Sequence, residues 1–295
     1  MFKVEVRESV DSTNAVIKRA IEEGKPEGLV VRALEQTGGY GRQGRAWLSP
    51  KGGMYQSLLL RPAVEARKLP TLALVVALAV RRALAGLVAP ACASRIKVKW
   101  PNDVVLAGDG EGAGATRGGL PASGAALPAE APLSAGDGSP AASVAALTPA
   151  RLRYAKLCGI SSEVHAGGVC IGIGVNVAPP SQSAPVGGKN APAYLSDLGF
   201  SCDDGIEAAT ASVGDAVLRE LSPLYARWRA EGFESLAGEF AECSMLAGRF
   251  VQMANRAGDV VCEGVVSGVD RDGRLILEDG NGTAVAVSSG EVHLL

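Results

Sequence analysis

The residues of this chain best suited to chemistry are cations, amides and carboxylates set beside glycines. Residues 37–45 read TGGYGRQGR, with four glycines and two arginines in nine positions. Backbone N–H groups left open by glycine, joined by guanidinium groups, suit an anionic ligand and phosphate above all. Residues 99–103 read KWPND, which sets a cation, an aromatic and a turn-fixing proline before an amide and a carboxylate. Such a set can position magnesium and phosphates. Lys156 opens KLCGISSE, Ser12, Thr13 and Asn14 stand consecutively, and GIGVN at 172–176 has two glycines that would let a ligand approach a strand closely. Taken singly, each also has a plain structural reading: a surface turn, a capped turn, a solvated lysine, a helix N-cap and a bulge.

Gly39, Gly41 and Gly44 also satisfy G-x-G-x-x-G. A dinucleotide site needs that turn to open a helix, because the pyrophosphate rests on the helix N-terminus, and needs an acidic residue about 20 positions on. Here the glycines lead through RAWLSPKGG into another strand, so that reading fails. A kinase loop would be followed by V-A-I-K, H-R-D and D-F-G, and a P-loop would end in G-K-[ST]; none occurs.

The elements that must position these residues follow from periodicity. Val4 and Val6 alternate with charges in a first strand, and DSTNAVIKRAIEEG reads as a helix with Asp11 or Ser12 as cap and Gly24 as its end. GLVVRALEQ and MYQSLLLRP are strands flanking the glycine loop. The apolar run from Leu69 to about Val88 predicts a buried helix. RIKVKW is a strand broken by Pro101, and DVVLA resumes it. RLRYAKLCGISSEVHAGGVCIGIGVNVAPP predicts two strands around a turn at Gly167 and Gly168. After Gly205 helices are expected, interrupted by Pro223 and Gly232. From about Gly248 short strands alternate with the turns Asp272-Gly273 and Asp279-Gly280-Asn281-Gly282, which predicts a small C-terminal β-barrel.

Composition bounds the rest. Hydrophobic residues make up 47% of the 295 and aromatics only 4%, so the core is expected to be aliphatic. A formal charge of -2 carries no basic footprint, which counts against a nucleic-acid partner and makes any anion site local. The six cysteines are scattered with neither C-x-x-C pairs nor nearby histidines, and read as small apolar residues of a reducing compartment. His165 and His293 are the only histidines, too few for a recognisable Ser-His or Cys-His mechanism. The N-terminus is a strand pattern rather than a signal sequence, and the longest apolar run stops at Arg81 and Arg82, short of a membrane span; a cytoplasmic protein is expected. Residues 107–150 are dominated by Ala, Gly, Pro and Ser, a composition that predicts a disordered insertion.

Taken in order, STN, QTGGYGRQGRAW, KWPND, KLCGISSE and GIGVN resemble the marks of the biotin protein ligase family: S-T-N, Q-x-x-G-R-G-R-x-G-R-x-W, K-W-P-N-D, K-x-x-G-I-L-x-E and G-x-G-x-N. The likeness covers nearly all of the chain outside the insertion, and KWPND with the arginine–glycine loop is its most specific part. It implies an α+β fold: a mixed β-sheet catalytic domain over 1–247 with helices packed on one face, like class II aminoacyl-tRNA synthetases and lipoate ligases, then an SH3-like β-barrel over 248–295. It also implies ATP-dependent attachment of biotin to a lysine of a carboxylase carrier domain through biotinyl-5'-adenylate, with ATP and Mg2+ required. No nucleic acid or membrane partner is implied, and a homodimer is allowed.

By position, the resemblance gives Ser12, Thr13, Asn14 and Gln36 to the biotin site, with Tyr40, Gly41 and Arg42 in the loop that encloses the ligand. Lys156 would stand between biotin's carboxylate and the α-phosphate. Arg45, Lys99, Asn102 and Asn176 would serve ATP, and Asp103 catalysis and a magnesium ion; Lys156, Arg42 and Asp103 form the catalytic set. Three features depart from the pattern. Tyr40 and Gln43 stand where arginines occur in the fullest form of the loop, Ser161 and Ser162 replace apolar residues after the lysine, and no tryptophan in NAPAYLSDLG matches the one that stacks on adenine in some members, Tyr194 being the nearest aromatic. The rival readings are a lipoate ligase or lipoyl transferase of the same fold, which lacks KWPND and this loop, and a biotin sensor or corepressor. The latter would need the N-terminal DNA-binding domain for which a chain starting at the first strand leaves no room.

Overall fold

The computed structural model describes residues 2–41, 44, 46–108, 154–180, 191–255 and 257–294. Arg42, Gln43, Arg45 and the insertion from 109 to 150 lie outside the described residues; Ala107, taken as the insertion's start, is the last residue of a strand.

The chain opens with β1 (Lys3–Val10), α1 (Thr13–Glu22) and β2 (Leu29–Gln36), in which β1 and β2 pair in parallel around the α1 crossover. There follow β3 (Gly53–Leu60), α2 (Leu72–Leu87), the short α3 (Pro90–Ala93), β4 (Ile96–Lys99), β5 (Asp103–Ala107), β6 (Tyr154–His165) and β7 (Gly168–Asn176). These strands form one mixed sheet in the order β1-β2-β3-β7-β6-β5-β4, with every pair after the first antiparallel.

Strand alternation gives this sheet two unlike faces. Val30, Leu58 and Ile171 point to the main core with α2 and with α4 (Ile206–Glu231), while their neighbours Val31, Leu59 and Cys170 point the other way, against Ile17, Ala20 and Ile21 of α1. The long helices thus share one face, as expected, and α1 covers part of the other. Helix α2 is buried nearly all round, which explains an apolar run without periodicity. By length and composition the helical stretch Ala66–Leu87 could cross a bilayer, yet 61% of its most apolar window is buried inside the protein, as in a core helix.

Pro223 does not interrupt α4, contrary to expectation. The lost N–H is tolerated because Leu221, Leu224, Tyr225 and Trp228 around it are buried against the core, with Trp228 Nε1 donating to Thr71 Oγ1 at 2.7 Å. Gly232 does end it, at φ +79°, before α5 (Glu234–Cys243). The cap of α1 also differs. Ser12 occupies the N-cap position but makes no capping hydrogen bond with its side chain, so its hydroxyl is not used by the helix.

The C-terminal unit is an antiparallel sheet of β8 (Phe250–Ala254), β9 (Val260–Val269), β10 (Leu275–Glu278), β11 (Ala284–Val287) and β12 (Glu291–Leu294), in the order β11-β10-β9-β8-β12. The expected turns are present: Asp270 Oδ1 accepts from the N–H groups of Asp272 and Arg274, and Asp279 Oδ1 from those of Asn281 and Thr283. Strand β12 was not legible in the sequence, because four residues carrying one buried valine show no period. It matters, since Lys99 Nζ donates to Val292 O of β12 at 3.3 Å and, together with the bond from Trp100 Nε1 to Gly273 O at 2.9 Å in the turn between β9 and β10, fastens this unit to the KWPND turn.

Candidate active site

On the α1 face of the sheet the side chains shrink. Ser57, Gly172 and Ser161 stand side by side across β3, β7 and β6, and the next row holds Tyr55, Gly174 and Gly159. The glycines are required by what lies on them. A Cβ at Gly172 would fall 2.3 Å from Asn14 Oδ1 and 2.6 Å from Ser161 Oγ, and one at Gly174 would fall 2.9 Å from Trp47 Nε1. The two glycines of GIGVN therefore admit Asn14 and Trp47 to the strands, where a ligand was expected.

Above these rows lies a cavity of about 690 Å³. Ser12, Thr13, Asn14, Gln36, Tyr40, Gly41, Lys99, Asn102, Asp103, Lys156 and Asn176 all border it, so the fold brings together every sequence-predicted site residue that is described. Arg42 and Arg45 fall outside the described residues. Tyr194 does not border the cavity, although Pro192 two residues before it does.

At one end the polar groups are already joined. Gln36 Oε1 accepts from Thr13 N at 2.8 Å and Thr13 Oγ1 at 3.0 Å, while Gln36 Nε2 donates to Ser49 Oγ at 2.8 Å. Ser57 Oγ donates to Asn14 Oδ1 at 2.6 Å, and Asn14 Nδ2 donates to Ser161 Oγ at 3.0 Å. The amide of Asn14 is thus committed to the protein and acts by holding its neighbours. Beside this network Lys18 pairs with Glu163 at 2.5 Å and lies 5.5 Å from the Tyr40 ring centroid. Burial acts to lower the Lys18 pKa, but hydrogen bonds to Glu163 and Tyr40 outweigh it and hold the ammonium above its ordinary value.

The other end is charged. Lys156 Nζ lies 2.8 Å from Asp103 Oδ1 and 4.9 Å from the centroid of the Trp47 ring. A β-bulge puts it there. Val104 pairs with Cys158 but Val105 with Lys156, which leaves Leu157 as the extra residue, so Leu157 and Cys158 both enter the core and Lys156 turns to the face of Gly159 and Ser161. Asn176 Nδ2 donates to Lys156 O at 2.9 Å and Asn102 Nδ2 to Ile160 O at 2.8 Å, so both amides brace β6 around the lysine. Lys99 is buried, lies 5.4 Å from the Tyr154 ring centroid, and has its pKa lowered by desolvation.

Sequence reasoning missed several bordering residues. Trp47 ends the loop motif and was legible there; its indole nitrogen is buried and has no hydrogen-bond partner among the described residues. Tyr154 and the β12 residues Glu291, Val292 and His293 gave no signal, since only the folded chain carries the C-terminal unit to the cavity. His165 pairs with Glu22 at 2.6 Å and does not border it. Burial pushes the Cys158 thiol up and the Cys170 thiol to about 12, so neither supplies a nucleophile at neutral pH. Among the described residues no three His, Cys, Asp or Glu side chains cluster as a metal cage.

Known proteins share this sequence pattern and fold. The family model described as Biotin/lipoate A/B protein ligase family matches residues 6–112, and the Biotin protein ligase C terminal domain matches 248–295. A biotin--[acetyl-CoA-carboxylase] ligase of Paracoccus denitrificans is 30% identical over 286 residues, 93% of this chain and 94% of that one. A second ligase of that name, from Mycobacterium tuberculosis, is 28% identical over 299 residues, 99% and 89% of the two chains. The biotin protein ligase from Aquifex aeolicus solved in complex with biotin and ATP has the same fold, with a TM-score of 0.67 at 22% identity over 100% of this chain and 99% of that one. With motifs, sheet and near full-length similarity in agreement, the chain belongs to the biotin protein ligase family.

Proposed function

We propose that this chain carries out its family's reaction, joining biotin to a lysine of a carboxylase carrier domain at the expense of ATP, with Lys156 as the group that serves both steps. The observation that carries this assignment is a single cavity with a joined polar network at one end and Lys156, held by Asp103 and Trp47, at the other. A carboxylate oxygen of biotin attacks the α-phosphorus of ATP and pyrophosphate leaves. The carrier amine then attacks the acyl carbon, AMP leaves and an amide remains.

Both steps bring negative charge to one point, which a fixed cation stabilises. Lys156 supplies that cation, and the braces from Asn176 and Asn102 keep its strand from shifting. Arg42 completes the catalytic set and Arg45 serves ATP. Ser12, Thr13 and Gln36 receive the biotin ring, Asn14 holds Ser57 and Ser161 in place beside it, and Tyr40 and Gly41 stand at the loop edge. Lys99 and the two asparagines face the nucleotide side. Magnesium commonly takes one or two carboxylates with substrate phosphates completing its shell, and Asp103 fits that need as a carboxylate beside the phosphate-binding cations. When bound, the ion would neutralise phosphate charge.

The same reading divides the chain into a catalytic unit, 1–247, and a barrel, 248–295, that closes the nucleotide end through β12. Six free cysteines agree with a reducing cytoplasm. The exposed edge strand β1, with Val6 60% exposed, supports a homodimer, which sedimentation would test. The decisive experiment is ATP–pyrophosphate exchange by the purified chain. Exchange is expected with biotin and not with lipoate, and exchange driven by lipoate would overturn the substrate.

A further inference from the structure

We propose that Ser161 is a specificity-determining residue whose hydroxyl hydrogen-bonds the ureido group of bound biotin. The inference rests on the reaction assigned above and concerns a position where the family pattern is apolar. Ser161 is only 6% exposed, yet it borders the cavity. It stands in the row of Ser57 and Gly172, one row beyond Gly159 and Gly174, and so away from Lys156 toward the joined polar network. With biotin's carboxylate at Lys156, this is the end that receives its ring.

The local hydrogen bonding orients the group. Asn14 Nδ2 lies 3.5 Å from Glu163 Oε1, a carboxylate oxygen that can only accept, so this nitrogen faces β6 and donates to Ser161 Oγ at 3.0 Å, while Asn14 Oδ1 accepts from Ser57 Oγ, which also lies 2.7 Å from Thr13 Oγ1. The serine oxygen is thereby an acceptor to the protein, and its own proton makes no hydrogen bond with the described residues. A buried hydroxyl donor without an acceptor is unfavourable, so the site favours a ligand that brings one. Glycine at 172 is a precondition, since a Cβ there would fall 2.6 Å from Ser161 Oγ. Of the ring's acceptors, the ureido oxygen is strong and the thioether sulfur weak.

The test is calorimetric binding of biotin and of desthiobiotin, which keeps the ureido ring but lacks the thioether, to wild type, S161A and S161T. S161A should raise the Kd of both ligands about fivefold to tenfold, the loss of one neutral hydrogen bond, while S161T stays within about twofold of wild type. In exchange assays the same variant should raise KM for biotin and leave KM for ATP and kcat unchanged. An unaltered biotin Kd in S161A overturns the contact, as does a penalty confined to biotin and absent for desthiobiotin, which would assign the proton to sulfur. A fall in kcat with a rise in KM for ATP would make Ser161 a merely structural member of the Asn14 network. Because binding is read directly, a wild type that binds biotin without exchange would sink the proposed reaction and leave the Ser161 contact standing.

Discussion

The two faces of the central sheet are built from the same strands, and nearly everything that separates core from site lies in which alternate residue faces which way. On one face Leu58, Ile171 and Ile173 meet α2 and α4 and are buried in a continuous apolar core. On the other, one residue along each strand, stand Ser57, Gly172 and Gly174 beneath Asn14 and Trp47. The first face contributes stability through area removed from water, and the second gives up that contribution to hold oriented polar groups over a cavity. A mutation on one face should therefore affect folding, and on the other binding or rate.

The largest expected effect breaks the site face alone. Lys156→Ala should lower biotin-dependent exchange about 10²–10³-fold, the usual cost of removing one preorganised charge donor, with the thermal midpoint within a degree or so of wild type. Wild-type exchange in this variant would remove Lys156 from its role. Leu58→Ala is the opposite case: it should cost about 2–5 kcal/mol in denaturant unfolding and leave KM for biotin unchanged. A shifted KM would show that the two faces are coupled through β3.

Gly172→Ala sharpens the comparison, because its Cβ would strike Asn14 and Ser161. About 1–3 kcal/mol of destabilisation is expected together with weaker biotin binding, and an innocuous alanine would mean that the Asn14 network is easily rearranged. The smallest effect concerns Lys99, whose burial lowers its folded pKa below 10.5. In the window just below 10.5 the unfolded chain binds more protons than the folded one at this site, so Lys99 makes stability rise with pH there. Buried tyrosine and cysteine groups with raised pKa act in the opposite sense. The effect must be read as a difference: wild type minus Lys99→Met should gain stability across that window, and parallel curves would contradict it.

Much of this was legible beforehand. The strand pairs around Gly167, the apolar α2 and the hairpin turns after Gly248 follow from period and turn chemistry, which depend on neighbours a few residues apart, whereas the clustering of STN, KWPND and GIGVN was expected only from the family resemblance. Pro223 misled because local propensity says nothing of Trp228 and its partner Thr71, 157 residues away in sequence. The glycines of GIGVN were recognised as places of close approach, but Asn14 and Trp47 fill them, and only long-range pairing shows which groups come near.

Residue types, their order and their alternation along strands were set by the sequence itself: a cation for a phosphate, small residues for a floor, turns where glycine and asparagine demand them. What the tertiary structure decided was direction. Simple alternation would place Lys156 on the face opposite Gly159 and Ser161, and the bulge at Leu157 reverses it into the cavity. It likewise brings β12 to Lys99 across 193 residues of sequence. Both outcomes depend on strand pairing, whose hydrogen bonds join residues distant in the chain and whose register no local pattern records.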